Sequence, residues 1–180
     1  MKLKKLVRSA WRGIAPLVYR LTSKHTKIKI SELFDTPTMT KYHHIVVALR
    51  YIAVEEYFGE NNFGKDIYVK ANHWEGEELI ASELARFEKL LRSVETHGYN
   101  DKFKIYVDLN GVCFNGTHRL ALCAWFGVRE IPAIIVRRRL NVETVEQAKN
   151  YFNLSEEEYR LLEEAYARMY ARIASLFKEA

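Results

Sequence analysis

Between Val107 and Val136 the residue order reads as extended chain, turn, helix, glycine and extended chain again, and the turn is Asn115-Gly116-Thr117-His118-Arg119. A strand that feeds a glycine turn at a helix N-terminus points several backbone N–H groups and the positive end of the helix at one spot, where an anionic phosphate is stabilised. Arg119 adds a fork of donors that can grip two oxygens of one anion. Gly116 permits close backbone approach, Thr117 offers a hydroxyl and a helix cap, and His118 donates to an oxygen or orients a neighbour. The same turn also serves as plain loop geometry, so the elements around it carry the argument. His43 and His44 sit on adjacent positions of a helical run, which directs them to different faces and reads them as surface or core residues, not as one site. Cys113 and Cys123 form no disulfide framework or four-ligand zinc set, no CxxC or HExxH spacing occurs, and both read as small buried hydrophobes; no metal-ligating residue is assigned.

The elements that position the turn follow from periodicity. Lys104 to Leu109 reads as a strand, Asn110-Gly111 as a two-residue hairpin turn and Val112 to Phe114 as the returning strand. His118 to Phe126 is a short apolar helix closed by Gly127, and Ile131 to Val136 is a mostly apolar, buried strand. Upstream, Lys27 to Ile30 alternates like a short half-buried strand and opens onto a turn-rich stretch, Ser31 to Thr40. Residues 42–58 read as a helix and 59–65 as a loop. Glu77 to His97 carries a helical apolar stripe stopped by Gly98. Downstream, Ser155 and Glu158 have capping-box spacing. Tyr159, Leu162, Tyr166, Met169, Ile173 and Leu176 form a seam that wants a helical partner: the N-terminal helix, the body, or a second copy in a homodimer through this C-terminal helix.

With 180 residues, 48% of them hydrophobic and 28% charged, the chain suits one globular core with short extensions. No apolar run is long enough to span a membrane, so cytoplasmic residence is the expectation. The net charge is +5, yet residues 1–29 hold nine Lys and Arg and no acid, which leaves the remainder at −4. Residues 2–21 read as a basic amphipathic helix interrupted near Gly13 and Pro16. Either its apolar stripe packs on the body, or residues 1–24 attach peripherally to an anionic membrane at its inner face. A basic end on a mildly acidic body argues against a protein that coats nucleic acid.

The order Phe114-Asn115-Gly116-Thr117-His118-Arg119, Leu120-Ala121-Leu122, Gly127, Ile131-Pro132-Ala133 resembles the ParB/sulfiredoxin superfamily. There a strand ending in Asp-Gly-x-His-Arg precedes a small-residue helix, a glycine and a Val/Ile-Pro-Val strand. Arg86-Phe87 to Ser93 and His97-Gly98-Tyr99 are similar to that family's helix before the hairpin, and the resemblance covers about residues 27–137. It implies an α+β fold with a small mixed sheet flanked by helices, and extra helices at both ends. The domains would be 1–26 a basic arm, 27–137 the nucleotide-binding domain and 138–180 a helical extension. It further implies ATP or CTP, with Mg²⁺, bound at Asn115, Gly116, Thr117, His118 and Arg119.

Departures from the family pattern select among its branches. The usual Asp is Asn115 here, which loses a negative charge and weakens any hold on Mg²⁺. The position of the sulfiredoxin cysteine is Thr117, which argues against sulfinic-acid reduction, and residues 138–180 lack helix-turn-helix spacing, which argues against DNA partitioning. What remains resembles the small-molecule kinases of the superfamily and single-domain ParB-like proteins of surface-polysaccharide clusters. The expectation is a nucleotide-binding protein that transfers phosphate to a small hydroxylated metabolite or sugar. Asp35 or Glu32, on the loop after the first strand, is the candidate acceptor-side base. The alternatives are a non-catalytic nucleotide-sensing adaptor and, third, a DNA-binding regulator.

Overall fold

The apolar run ending at Val136 shows little alternation because it lies inside a sheet, with a strand on either side. The computed structural model describes residues 23–72, 76–137 and 145–178. Within them, β1 (Ser23–Lys29), β2 (Ile105–Val107), β3 (Cys113–Asn115) and β4 (Glu130–Val136) form one sheet in the order β1-β4-β2-β3. β4 runs antiparallel to β1 and parallel to β2, and β3 runs antiparallel to β2. The helices are α1 (Tyr42–Tyr57), α2 (Gly64–Ala71), α3 (Glu77–His97), α4 (Thr117–Phe126), α5 (Val145–Phe152) and α6 (Glu156–Lys178). The fold is mixed α+β with a small mixed sheet. The basic arm expected for the N-terminus lies outside the described residues up to residue 22.

β1 begins earlier than its alternation suggested. It pairs with β4 from Ser23 opposite Val136 to Lys29 opposite Glu130, so the boundary expected between residues 26 and 27 falls inside a strand. Lys24, His25 and Thr26 read as part of an arm because they are polar, but an edge strand needs only its backbone to pair, and lysines on it discourage further pairing.

α1 is the centre of the molecule. From His43 to Glu55 its residues are buried apart from Arg50, and α2, α4 and α6 pack around it. A helix apolar on every side is stable only inside a protein, and here burial outweighs the modest helix propensity of its β-branched residues. The heptad-like seam of α6 finds its partner in this body: Tyr159, Leu162, Tyr166, Met169 and Ile173 are buried where α6 meets α1 and α4. These five seam residues are therefore covered within the same chain, while Leu176 is half-buried. The capping box forms as expected, with Ser155 N–H donating to Glu158 Oε2 at 2.7 Å and Glu158 N–H to Ser155 Oγ at 3.2 Å. Glu55, 3% exposed, accepts two bonds of 2.8 Å from Arg168, which ties α6 to α1.

Residues 59–65 are not all loop, and residues 64–71 form a helix that the sequence did not announce. Asn61 Oδ1 accepts the N–H groups of Phe63 (3.1 Å) and Gly64 (2.9 Å), turning the chain into α2. Gly64 looks like a loop residue but serves close packing: a Cβ there would stand 2.0 Å from Ile52 O, on the backbone of α1. Gly64→Ala should therefore lower the melting temperature, at a cost of about 2 kcal/mol or more from overpacking against a backbone that cannot rotate away. Ser155→Ala should lose only the cap, about 1 kcal/mol. Thermal melts of the two variants check the ranking, and an unchanged Gly64→Ala protein would contradict the α1–α2 apposition.

Candidate functional site

The hairpin that delivers the glycine turn is built differently from a two-residue turn. β2 ends at Val107 and β3 starts at Cys113, so Asp108 to Val112 form the loop. Asp108, 2% exposed, accepts the N–H groups of Asn110 and Val112 at 2.9 Å each through Oδ1. Its own carbonyl accepts Gly111 N–H at 3.1 Å. A short acidic side chain that satisfies the backbone of a turn draws Asp108 out of the strand, and Asn110-Gly111 becomes only the tip.

β3 ends at Asn115, and Gly116, with φ +96°, turns the chain into α4. A left-handed residue at this point is costly for anything but glycine. A Cβ on Gly116 would also meet Ile105 Cγ2 at 2.7 Å and Ile105 Cα at 3.2 Å. This corrects the expected reason for the glycine: its bare side faces β2, and it is there so that α4 can start against the sheet. Thr117 is likewise not a cap. It is the first residue of α4 and is buried, and no side chain caps this helix. The first intrahelical bond runs from Leu120 N–H to Gly116 O at 3.0 Å, so the N–H groups of Thr117, His118 and Arg119 precede the ladder and are the donors a helix start offers to an anion.

Two cavities flank this start. The smaller, about 250 Å³, lies between α3 and the turn, lined by Glu83, Arg86, Phe87 and Leu90 on one side and Asn115, Gly116, His118 and Arg119 on the other. The larger, about 490 Å³, lies on the other side of Asn115 and Arg119 and is lined by Lys102, Phe103, Lys104, Tyr106 and Ile134. It opens beside the sheet face turned away from α1, where a row of register partners crosses all four strands: His25, Ile134, Tyr106 and Asn115. Arg119 is fixed between the cavities, its Nη1 donating to Lys104 O at 2.7 Å and its guanidinium 5.3 Å from the centre of the Phe103 ring. Four cations, Arg86, Arg119, Lys102 and Lys104, thus line the two cavities, and among the lining residues the one carboxylate is Glu83, 3.8 Å from Arg86 Nη2.

Of the residues expected to act together, Asn115, Gly116, His118 and Arg119 share the smaller cavity. His118 is half-buried, with Phe87 against its ring (4.5 Å between centroids) and Nε2 3.0 Å from Tyr68 Oη. Burial, then Arg50, Arg119 and Arg86, hold its pKa well below the usual histidine range, so it stays neutral and brings no positive charge to the cavity. Asp35 and Glu32 line neither cavity. Asp35 is paired to Lys41 at 2.9 Å, and that partner's hydrogen bond lowers its pKa, which makes it a poor proton acceptor. Glu83 and Arg86, to which the sequence assigns no site role, share a helical stripe with Phe87 and Leu90 at spacings of three, four and seven.

His43 and His44 do not diverge as adjacent helical residues should. Both are fully buried at the start of α1, and both Nε2 atoms lie on Leu33 O, at 3.0 and 3.2 Å, because the loop after β1 brings that carbonyl over the helix end. Thr40 N–H donates to His44 Nδ1 at 3.3 Å, and Tyr166 Oη stands 3.1 Å from the same atom. Burial pushes His43 down to about 4, and burial with the neighbouring His43 pushes His44 down to about 3. Cys113 and Cys123 are both buried, as expected, and burial pushes the Cys113 thiol up to about 12 and raises that of Cys123 further. Among the described residues no group of three or more His, Cys, Asp or Glu is placed to hold a metal ion, and no helix is long and apolar enough to cross a membrane.

Gly116→Ala should cost about 2 kcal/mol or more of stability, from the left-handed backbone and the contact with Ile105. It should do so with or without any ligand, as a melt will read. A second expectation concerns pH. His43, His44 and His118 have native pKa values below the ordinary 6.5, so the unfolded chain takes up protons that the native chain refuses. Their contribution to stability is full above 6.5 and is lost as pH falls toward 4 and 3. The melting temperature should therefore drop between pH 7 and 5, above the carboxylate range, and a flat profile there would contradict neutral burial of these rings.

No protein-family model matches the chain, and searches of curated proteins and of solved structures return no match either, so the functional reading rests on this geometry.

Proposed function

We propose that this chain binds a nucleotide, ATP or CTP, through its phosphates at the start of α4 and transfers a phosphoryl group to a small hydroxylated acceptor. The observation that carries the reading is the convergence of Arg86, Arg119 and the first-turn N–H groups of α4 on one cavity. The order β2, hairpin, β3, glycine turn, α4, β4 supports the resemblance to the ParB/sulfiredoxin superfamily as far as order goes. A magnesium ion keeps most of its waters and would be held here largely through the phosphates, with the Asn115 amide on this cavity as its protein ligand and no preformed protein cage. Bound there, it would offset charge on the phosphates.

The remaining roles belong to the chain's own side chains. Arg119, already anchored on Lys104 O through one nitrogen, presents its other N–H groups to a phosphate without having to order a free side chain. Arg86 closes from α3. In the transfer step the acceptor oxygen bonds to the terminal phosphorus as the bond from phosphorus to the nucleoside diphosphate oxygen breaks, and the hydroxyl proton passes to a carboxylate. We assign that carboxylate as Glu83, since it borders the cavity and neither Asp35 nor Glu32 does. Glu83 is 29% exposed, within reach of a small solute.

Calorimetry with ATP and CTP, with and without Mg²⁺, tests the binding half. Arg119→Ala should weaken nucleotide binding by at least ~1.5 kcal/mol, about tenfold, the scale of a lost hydrogen bond to a charged group. Unchanged affinity in a folded variant would reject the site. The transfer half is tested by following labelled phosphate into candidate acceptors. Glu83→Gln should lower turnover by roughly 10²-fold or more, while Asp35→Asn and Glu32→Gln leave it near wild type. Transfer that survives Glu83→Gln would overturn the base assignment.

A further inference from the structure

The larger cavity is not needed to hold phosphate, yet it is built with care. Phe103 is 43% exposed. Its exposure does not come from a loose loop. Phe103 N–H donates to Asn100 O at 3.0 Å, Tyr99 Oη donates to Phe103 O at 2.7 Å, and the next carbonyl, Lys104 O, accepts Arg119 Nη1 at 2.7 Å. The backbone that carries the ring is thus held in place at the cavity wall, and a guanidinium lies over one face of the ring, 5.3 Å from its centre. A fixed aromatic surface beside a cation, with lysines at the rim, is the arrangement that stacks a flat ring carrying an anionic group. Tyr106 and Ile134, register partners on neighbouring strands, supply the facing wall. Lys104 Nζ is positioned at the rim by His25 Nδ1, 3.0 Å away.

Resting on the phosphate reading above, we infer that this cavity seats the base of the same ligand, stacked on Phe103, with Arg119 as the shared wall between base and phosphates. The ligand class is then a mononucleotide, and neither a sugar phosphate nor inorganic polyphosphate. Asn115 and Arg119 line both cavities, so one molecule can lie across them, its ring in the larger and its phosphates at the start of α4. Shape selects the ring, since every base has a face to stack, while the donors of Arg119 and Arg86 select the charge.

The test compares ATP, CTP, inorganic tripolyphosphate, ribose 5-phosphate and a single-stranded octanucleotide on the full chain by calorimetry, for wild type, Phe103→Ala and Arg119→Ala. Phe103→Ala should weaken ATP and CTP by about tenfold and change tripolyphosphate less than twofold, whereas Arg119→Ala should weaken all three. If Phe103→Ala is poorly folded, Phe103→Leu keeps the packing volume and removes the stacking face. In addition, Phe103→Trp should give an emission, relative to wild type, that ATP quenches and tripolyphosphate does not. Equal losses of ATP and tripolyphosphate in Phe103→Ala, or no loss of either, would overturn the base seat while leaving the phosphate site standing. No loss anywhere in Arg119→Ala would overturn the phosphate site itself. Ribose 5-phosphate binding as tightly as ATP, or an octanucleotide binding more tightly than ATP on the same residues, would overturn the assignment to a mononucleotide.

Discussion

The distance between Gly116 and Ile105 governs where α4 begins. With no Cβ at 116, the turn lies directly on the second strand, and the helix that follows starts at the sheet edge instead of a residue's width away. Everything proposed for the groove inherits that placement. Arg119 lies in the first turn of α4 and reaches Lys104 O because the helix starts where it does, and it lines both cavities. A close-packed backbone contact therefore sets electrostatics several ångströms away, which is how a position without a side chain becomes decisive for one that has the chain's most versatile donor.

A second constraint acts from the other side of the molecule. α1 is buried on nearly all faces yet carries His43, His44 and Glu55, and their polar groups, His43 Nδ1 apart, find partners inside. Leu33 O answers both histidines, and Arg168 answers Glu55. These bonds attach the loop after β1 to one end of α1 and α6 to the other, so the central helix organises the periphery through its few polar residues. The loop that carries Asp35 is consequently fastened to α1 and α6, away from the start of α4, with Tyr166 donating to Thr36 O at 3.0 Å.

Much of this architecture was legible in the sequence, for reasons that differ element by element. The long stripe of α3, its stop at Gly98 and the Ser155 capping box depend on local spacing and emerged as read. The turn at Asn115 to Arg119 was also found, since a glycine between a strand and a helix is a local signal. What failed was non-local. Gly64 looked like loop because its reason, Ile52 O, lies on another helix. The start of β1 was missed because its partner β4 is over a hundred residues away and its own side chains are polar. Adjacent helical positions predict that the histidine pair diverges, but a carbonyl from a distant loop reaches both rings. Of the site itself, the α4 half could be read, whereas Glu83, Arg86 and Phe103 join it only once α3 and the β2 approach fold against the turn.

The two thiols have a practical meaning beyond packing. Cys113 donates its S–H to Asn115 O at 3.2 Å from the strand that leads into the turn, and Cys123 sits on α4, both shielded from solvent. A protonated, inaccessible sulfur is a poor nucleophile, so neither electrophiles nor mild oxidants have a thiolate to attack while the fold is closed. Alkylation of these two positions is then a clock for opening. The rate at which iodoacetamide enters reports how often the β3–α4 unit parts from the rest, with no label or added reporter group.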